Sequence, residues 1–254
     1  MITISILNIK GGVGKTTTSL NVAAGLADRG KRVLLIDYDP QSNTTSIFKV
    51  SPEVTIGDIM LETIDIKDAL NAVEENLWVI PSNIELANIE VSLRMQSTGS
   101  QHDKLHKALK QVEFQFDYCI IDCAPNINIL TLNAIYASNV LIIPIKPDKF
   151  ALQGFNVTIE SINNINENYE LNLDYFVIFT VVNRNSEEKR IIQAVRSLVG
   201  QNAFKAKVRN QPSPVVKASN ANKMVIRNLF TSVSKDYRNV VGEILRRFPN
   251  DFQN

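Results

Sequence analysis

Apolar residues fall in short, nearly unbroken blocks along this chain. ITISILNI (2–9) and RVLLIDYD (32–39) are rich in β-branched and aliphatic residues, and LWVIP (77–81), FDYCIIDCAP (116–125), NVLIIPIKP (139–147) and LDYFVIFTVVN (173–183) read the same way. A strand that is apolar at almost every position has both faces covered, which is the pattern of a parallel sheet. Between most of these blocks the apolar period lengthens to that of a helix. TTSLNVAAGLADRG (17–30) predicts a helix closed by Gly30, and a long helical stretch is expected near 84–111, broken at STGS (97–100). The alternation predicts an α/β fold, a mostly parallel, twisted β-sheet covered by helices on both faces. There is no internal repeat or low-complexity linker, so a single domain, 1–254, is expected. Sheets of this kind bind ligands at the carboxyl ends of their strands.

Composition narrows the class. With 254 residues, 44% hydrophobic and 21% charged, the chain has the balance of a soluble globular protein. No apolar run reaches the roughly 18 residues of a membrane span, and the N-terminus lacks the basic flank and cleavage site of a signal peptide. Cys119 and Cys123 are too few for a disulfide framework or a zinc site, and His102 and His106 lie in a polar helical stretch. All four read as structural, and a cytoplasmic location is expected. The net charge of +1 conceals an asymmetry. Residues 184–254 hold 14 Lys and Arg against 5 Asp and Glu, a net of +9, whereas residues 1–183 hold 13 against 21, a net of −8. Such segregation suits either a face that meets a polyanion, nucleic acid or anionic membrane, or a solvated surface whose charges happen to segregate.

The chemistry begins in KGGVGKTT (10–17), between the first strand and the first helix. Gly11, Gly12 and Gly14 permit a tight turn that brings main-chain N–H groups, including those of Val13 and Thr17, close to phosphate oxygens; the helix adds the positive end of its dipole. Lys15 would reach the β- and γ-phosphates of a nucleotide, and the Thr16 hydroxyl would ligate Mg²⁺. The general pattern G-x-x-x-x-G-K-[ST] is not strictly met, because its first glycine falls on Ile9, and a second lysine, Lys10, precedes the glycines.

K-G-G-V-G-K-T-T resembles the deviant Walker A motif of the ParA/Soj/MinD ATPases, a group of P-loop NTPases that includes the nitrogenase iron protein. The resemblance implies a nucleotide-dependent dimer in which Lys10 crosses to the phosphates of the partner's ATP while Lys15 serves its own. LLIDYDPQSNTT (34–45) resembles the switch I segment of ParA-type partition proteins, which gives Asp39 the task of positioning or activating the attacking water. YCIIDCAPNINILTLNA (118–134) resembles the Walker B and switch II segment, with Asp122 holding Mg²⁺ through water and Pro125 at the turn that senses the γ-phosphate. KPDKFALQGF (146–155) is similar to the segment that follows in the family. The similarity is specific from residue 1 to about 155 and looser beyond.

In the looser part, Asn183 resembles an asparagine that contacts the base, and KVRNQPSPVV (207–216) sits where relatives carry a proline-containing loop near the adenine, which offers Pro212 and Pro214. Arg184, Lys189, Arg190, Arg209, Lys217, Lys223 and Arg227 lie in the region that forms a non-specific DNA-binding face in partition relatives. The resemblance therefore implies a slow ATPase of the short form, without an N-terminal helix-turn-helix. It would drive plasmid or chromosome partition from the nucleoid with a ParB-like centromere-binding partner that stimulates hydrolysis. A MinD-like positioning ATPase, acting on a membrane surface or a protein cargo, is the alternative; the ending VVGEILRRFPNDFQN (240–254) makes a poor lipid anchor. An iron-protein-like electron donor lacks the cysteine ligands for a shared cluster.

Overall fold

The computed structural model describes residues 1–51, 53–95 and 100–249. Eight strands form one sheet: β1 (Ile2–Ile6), β2 (Val33–Tyr38), β3 (Asn71–Glu74), β4 (Leu77–Ile80), β5 (Tyr118–Cys123), β6 (Val140–Ile145), β7 (Asp174–Val182) and β8 (Ala203–Arg209). Their order is β3-β4-β2-β5-β1-β6-β7-β8, and every neighbouring pair is parallel except β3 with β4. β2, β5 and β6 are buried along their whole length, which is why their sequences show no polar face.

Successive strand residues point to opposite sides and so feed two cores. Leu34, Ile36, Cys119, Ile121, Ile143 and Phe179 enter one of them, with α3 (Ile56–Met60), α4 (Leu86–Met95), α5 (Lys104–Lys110), α6 (Ile129–Ala137), α7 (Ala151–Asn168) and α8 (Ser186–Val199) laid against it. Val33, Leu35, Ile120, Ile142 and Ile178 enter the other, beneath α1 (Lys15–Ala27) and α10 (Ser232–Arg247). α10 buries Val233, Tyr237, Val240, Val241 and Ile244, a single stripe at helical spacing. It is a domain helix, with its apolar stripe packed into the second core. Two further helices, α2 (Asn43–Phe48) and α9 (Pro212–Asn220), lie beyond the ends of β2 and β8.

Three details bear on the sequence pattern. The stretch near 84–111 is two helices, α4 and α5; the break expected at 97–100 falls largely on 97–99, outside the described residues. β8, at the sheet edge, mixes buried positions with exposed and half-buried ones and so lacks the continuous apolar signal of the inner strands. The proline-containing segment is not a loop throughout, because Pro212 opens α9, a position where proline's fixed φ suits the first helical turn. Both cysteines are buried free thiols, and burial pushes Cys123 up to about 12. His102 packs against Tyr136 and Tyr169, and His106 against Tyr136. Among the described residues, no helix is long and apolar enough to cross a membrane.

Candidate functional site

The glycine loop leaves β1 at the centre of the sheet, where β1 lies between β5 and β6. Asn8 fixes its start: the side-chain amide donates to the Pro144 carbonyl at 2.7 Å, and Oδ1 accepts from the Lys10 main chain at 2.9 Å. Gly12 and Gly14 have φ of +71° and +84°, a conformation costly for any residue with a Cβ. Between them Val13 is buried, and its carbonyl accepts from Thr180 Oγ1 of β7 at 2.6 Å. α1 then starts at Lys15 with no side chain capping its first amides, which leaves those donors to a phosphate.

The two lysines occupy different surroundings. Lys15 is buried, and its ammonium donates to the Lys10 carbonyl at 3.2 Å. Burial lowers its pKa against the pull of Asp122, Cys123 and Asp39. A phosphate arriving at this loop would restore the charge balance that burial disturbs. Lys10 turns away. Its ammonium sits 2.6 and 2.7 Å from the two carboxylate oxygens of Asp148, in the loop after β6, and 5.8 Å from the centroid of the Phe150 ring. Burial acts to raise Asp148, but the Lys10 and Phe150 hydrogen bonds outweigh it and the carboxyl is held low.

Two carboxylates stand side by side at the strand ends, since Asp37 of β2 and Asp122 of β5 are register partners. Asp122 is buried; Oδ1 accepts from Ser19 Oγ and Oδ2 from Thr44 Oγ1, each at 2.9 Å. Burial raises Asp122 to about 6, opposed by hydrogen bonds from Thr16, Thr44 and Ser19. Asp37 is pushed up to about 7 by burial and by Asp122, against hydrogen bonds from Thr45 and Asp39. Asp39 itself is half-buried in the turn before α2, where Oδ1 accepts from the Gln41 main chain. Thr16, Asp39 and Asp122 thus offer hard oxygen donors around buried negative charge, a set that fits Mg²⁺. Ser19, Asp37, Thr44, Thr45, Asp148 and Thr180 are site residues that sequence reasoning missed, since hydroxyls and strand-end aspartates carry no spacing signal of their own.

Beside the loop is a cavity of about 200 Å³ lined by Gly14, Thr17, Val181, Gln211, Pro212 and Tyr237 among others, of a size to take part of a nucleoside. Pro212 is brought to it, and Pro214 instead lines a groove on the far side of α9. Asn183 stands outside its lining. Its main-chain N–H and side-chain amide donate to Glu188 at 2.6 and 2.8 Å, and its Oδ1 accepts from Asn210, which does line the cavity.

The basic residues divide into two sets. Arg209 is locked to Asp236 by two hydrogen bonds of 2.6 and 2.7 Å, and Arg227 bridges Glu74 and Asp28. Arg184, Lys189, Arg190, Lys217 and Lys223 are exposed and make none of the ion pairs among the described residues. Lys217 and Lys223 line the groove of about 730 Å³ outside α9, and Lys189 and Arg190 lie in the first half of α8.

Known proteins are similar to this one over most of the chain. A family model described as an AAA domain matches residues 1–175. The sporulation initiation inhibitor protein Soj of Bacillus subtilis is 38% identical over 80% of this chain and 81% of its own, and the chromosome partitioning protein ParA of Caulobacter vibrioides is 30% identical over 96% and 94%. A plasmid partition protein of Borrelia burgdorferi, solved with AMPPNP bound, superposes with a TM-score of 0.84 at 25% identity, covering 97% of this chain and 99% of its own. With its glycine loop, paired strand-end carboxylates and parallel sheet, the chain belongs to the Soj/ParA family of partition ATPases.

Proposed function

We propose that this protein is a Mg²⁺-dependent ATPase that dimerises on ATP, binds DNA without reading its sequence, and drives plasmid or chromosome partition. A ParB-like centromere-binding partner would stimulate hydrolysis and release it, and the protein would work in the cytoplasm on the nucleoid. One observation carries the reading. Lys15 is folded into its own loop, whereas Lys10 leaves that loop and is held 2.6 Å from Asp148 at the surface. A lysine so placed serves its own phosphates poorly but can be exchanged from Asp148 to a phosphate of a second copy. A cation supplied in trans neutralises charge on the transferring phosphoryl group, as an arginine finger does.

Bound Mg²⁺-ATP supplies the phosphoryl group and a metal that neutralises its oxygens. The chain's own residues divide the rest. Loop amides and Lys15 would hold phosphate oxygens, while Thr16 and Asp122 would hold the metal. Asp39 orients a water and accepts its proton. Intrinsic turnover is slow because that geometry is completed only in the stimulated dimer. The DNA face consists of the unpaired cations Lys217, Lys223, Arg184, Lys189 and Arg190, doubled by dimerisation; Arg209 and Arg227 already have carboxylate partners.

The test is binding to a random-sequence duplex with ATP, with ADP and without nucleotide, over a salt series. Tight binding with ATP alone, falling steeply with salt, supports the reading. Equal binding in all three states sinks the switch, and no binding in any moves the anion to a membrane surface or protein cargo.

A further inference from the structure

The segment that carries Asp39 is clamped at both ends by one buried carboxylate. Asp37 Oδ1 accepts from the Asp39 main-chain N–H at 3.3 Å. Its Oδ2 accepts twice from Thr45, from the main-chain N–H at 2.8 Å and from Oγ1 at 2.7 Å. The Thr45 hydroxyl is itself an acceptor, taking the Ser82 main-chain N–H of the loop after β4 at 2.9 Å. Both Asp37 and Thr45 are buried. Thr44, next in the chain, points instead to Asp122 Oδ2. Adjacent hydroxyls on α2 therefore dock on adjacent strand-end carboxylates. They are not equivalent, because Asp122 belongs to the set that would hold the metal, and its hydroxyl partners are Ser19 and Thr44. Asp37 bonds both ends of the 39–45 segment and shares neither of those partners.

We propose that Asp37 and Thr45 are positioning residues for hydrolysis, the fixed anchor that sets the main chain of Asp39 and ties it through Ser82 to the loop after β4. This inference rests on the hydrolytic role given to Asp39 above. The anchor touches neither phosphate nor metal, and acts on where Asp39 stands rather than on how tightly nucleotide is held. It also gives the 82–84 loop, whose Ile84 is 63% exposed, a main-chain connection to the water-orienting carboxylate. Anything that shifts that loop is transmitted through one threonine hydroxyl.

The experiment is steady-state ATPase kinetics of the full chain with Mg²⁺-ATP, alongside titration with a fluorescent ATP analogue, for Thr45→Val, Thr45→Ala, Thr45→Ser and Asp39→Ala. Valine keeps the shape of threonine and removes the hydroxyl, and serine restores the hydroxyl without the methyl. Thr45→Val and Thr45→Ala are expected to lower kcat by about tenfold or more with KM and analogue affinity held within about twofold, and Thr45→Ser to recover most of kcat. The inference is overturned if either hydroxyl-free variant keeps wild-type kcat, if serine is as impaired as valine, or if nucleotide affinity falls in step with kcat. Asp39→Ala separates the two levels. If it turns over at the wild-type rate, the hydrolytic role of Asp39 falls; if it is dead while Thr45→Val is active, only the anchor falls.

Discussion

Lys10 and Lys15 are five positions apart and chemically identical, yet burial and hydrogen bonding give them separate surroundings. Removing Lys15 takes away the buried cation of the loop, so Lys15→Ala should lose nucleotide binding, read by titration with a fluorescent analogue. Lys10→Ala should leave the monomer's nucleotide affinity nearly intact and lose the ATP dimer in sizing experiments; a normal dimer would make Lys10 only the partner of Asp148. Asp39→Ala should do the reverse, keeping the dimer and losing hydrolysis. The paired carboxylates make a pH prediction. Asp37 is raised from 3.8 to about 7, so the folded state prefers it protonated. Its favourable contribution to the metal-free protein is therefore complete below the unfolded value near 4 and is lost as pH rises through about 7. The melting temperature in a chelator should fall between about pH 5 and pH 8, and Asp37→Asn should flatten that fall. A rise over the same interval would contradict the burial of this pair.

Helices and strands carry their own consequences. α1 crosses α10 and the turn 225–227 at Gly25, where a Cβ would lie 2.5 Å from Ile226 Cδ1 and 2.7 Å from Val241 Cγ2. Alanine ordinarily favours a helix over glycine by about 1 kcal/mol. Here the overlap outweighs that gain, and Gly25→Ala should destabilise the fold by about 1–3 kcal/mol, read by denaturant unfolding. The inner strands are legible in the chain because burial on both faces writes itself as unbroken apolar sequence. Ile2–Ile6, Val33–Tyr38, Tyr118–Cys123 and Val140–Ile145 all fall within blocks recognisable from their apolar residues alone. β8 is not legible in this way, since Lys205, Lys207 and Arg209 interrupt its apolar positions at the sheet edge. β3 escapes notice for a related reason, because NAVE is short and none of its residues is buried. Asp39 and Asp122 can be found because the segments around them, LLIDYDPQSNTT and YCIIDCAPNINILTLNA, resemble family motifs. Thr45 cannot, because its partner Asp37 is eight residues away and the bond depends on how α2 docks.

At the scale of the whole molecule, fewer of the 14 Lys and Arg of residues 184–254 stand unpaired than their number suggests. Asp236 and Glu243 are buried and hold Arg209 and Arg247, and Arg227 is spent on Asp28 and Glu74. Sequence counts charges but not their partners, so Arg209 and Lys217 look alike in it. Replacing Lys217 and Lys223 by Gln should weaken ATP-dependent DNA binding and lower its salt slope by about 1 for each phosphate no longer neutralised. Arg227→Ala should leave that slope unchanged and cost up to about 1 kcal/mol of stability instead, because its partners tie β3 and α1 together at a largely wet site. An unchanged slope in the double lysine variant would move the DNA face to Arg184, Lys189 and Arg190.

α9 contains no buried residue, although Pro212, Val215 and Val216 line the nucleoside-sized cavity on one side and Lys217 borders the basic groove on the other. A helix with so little core of its own has a low free energy of local opening, and the amides of 212–220 should exchange with deuterium far sooner than those of α10. A nucleotide base packed on Pro212 and Val215 would supply the missing contact area and slow that exchange. The same ordering would reduce the conformational entropy that a later ligand of Lys217 has to remove. Cooperativity between nucleotide and polyanion could then arise from a change in fluctuation alone, with no displacement of the mean structure.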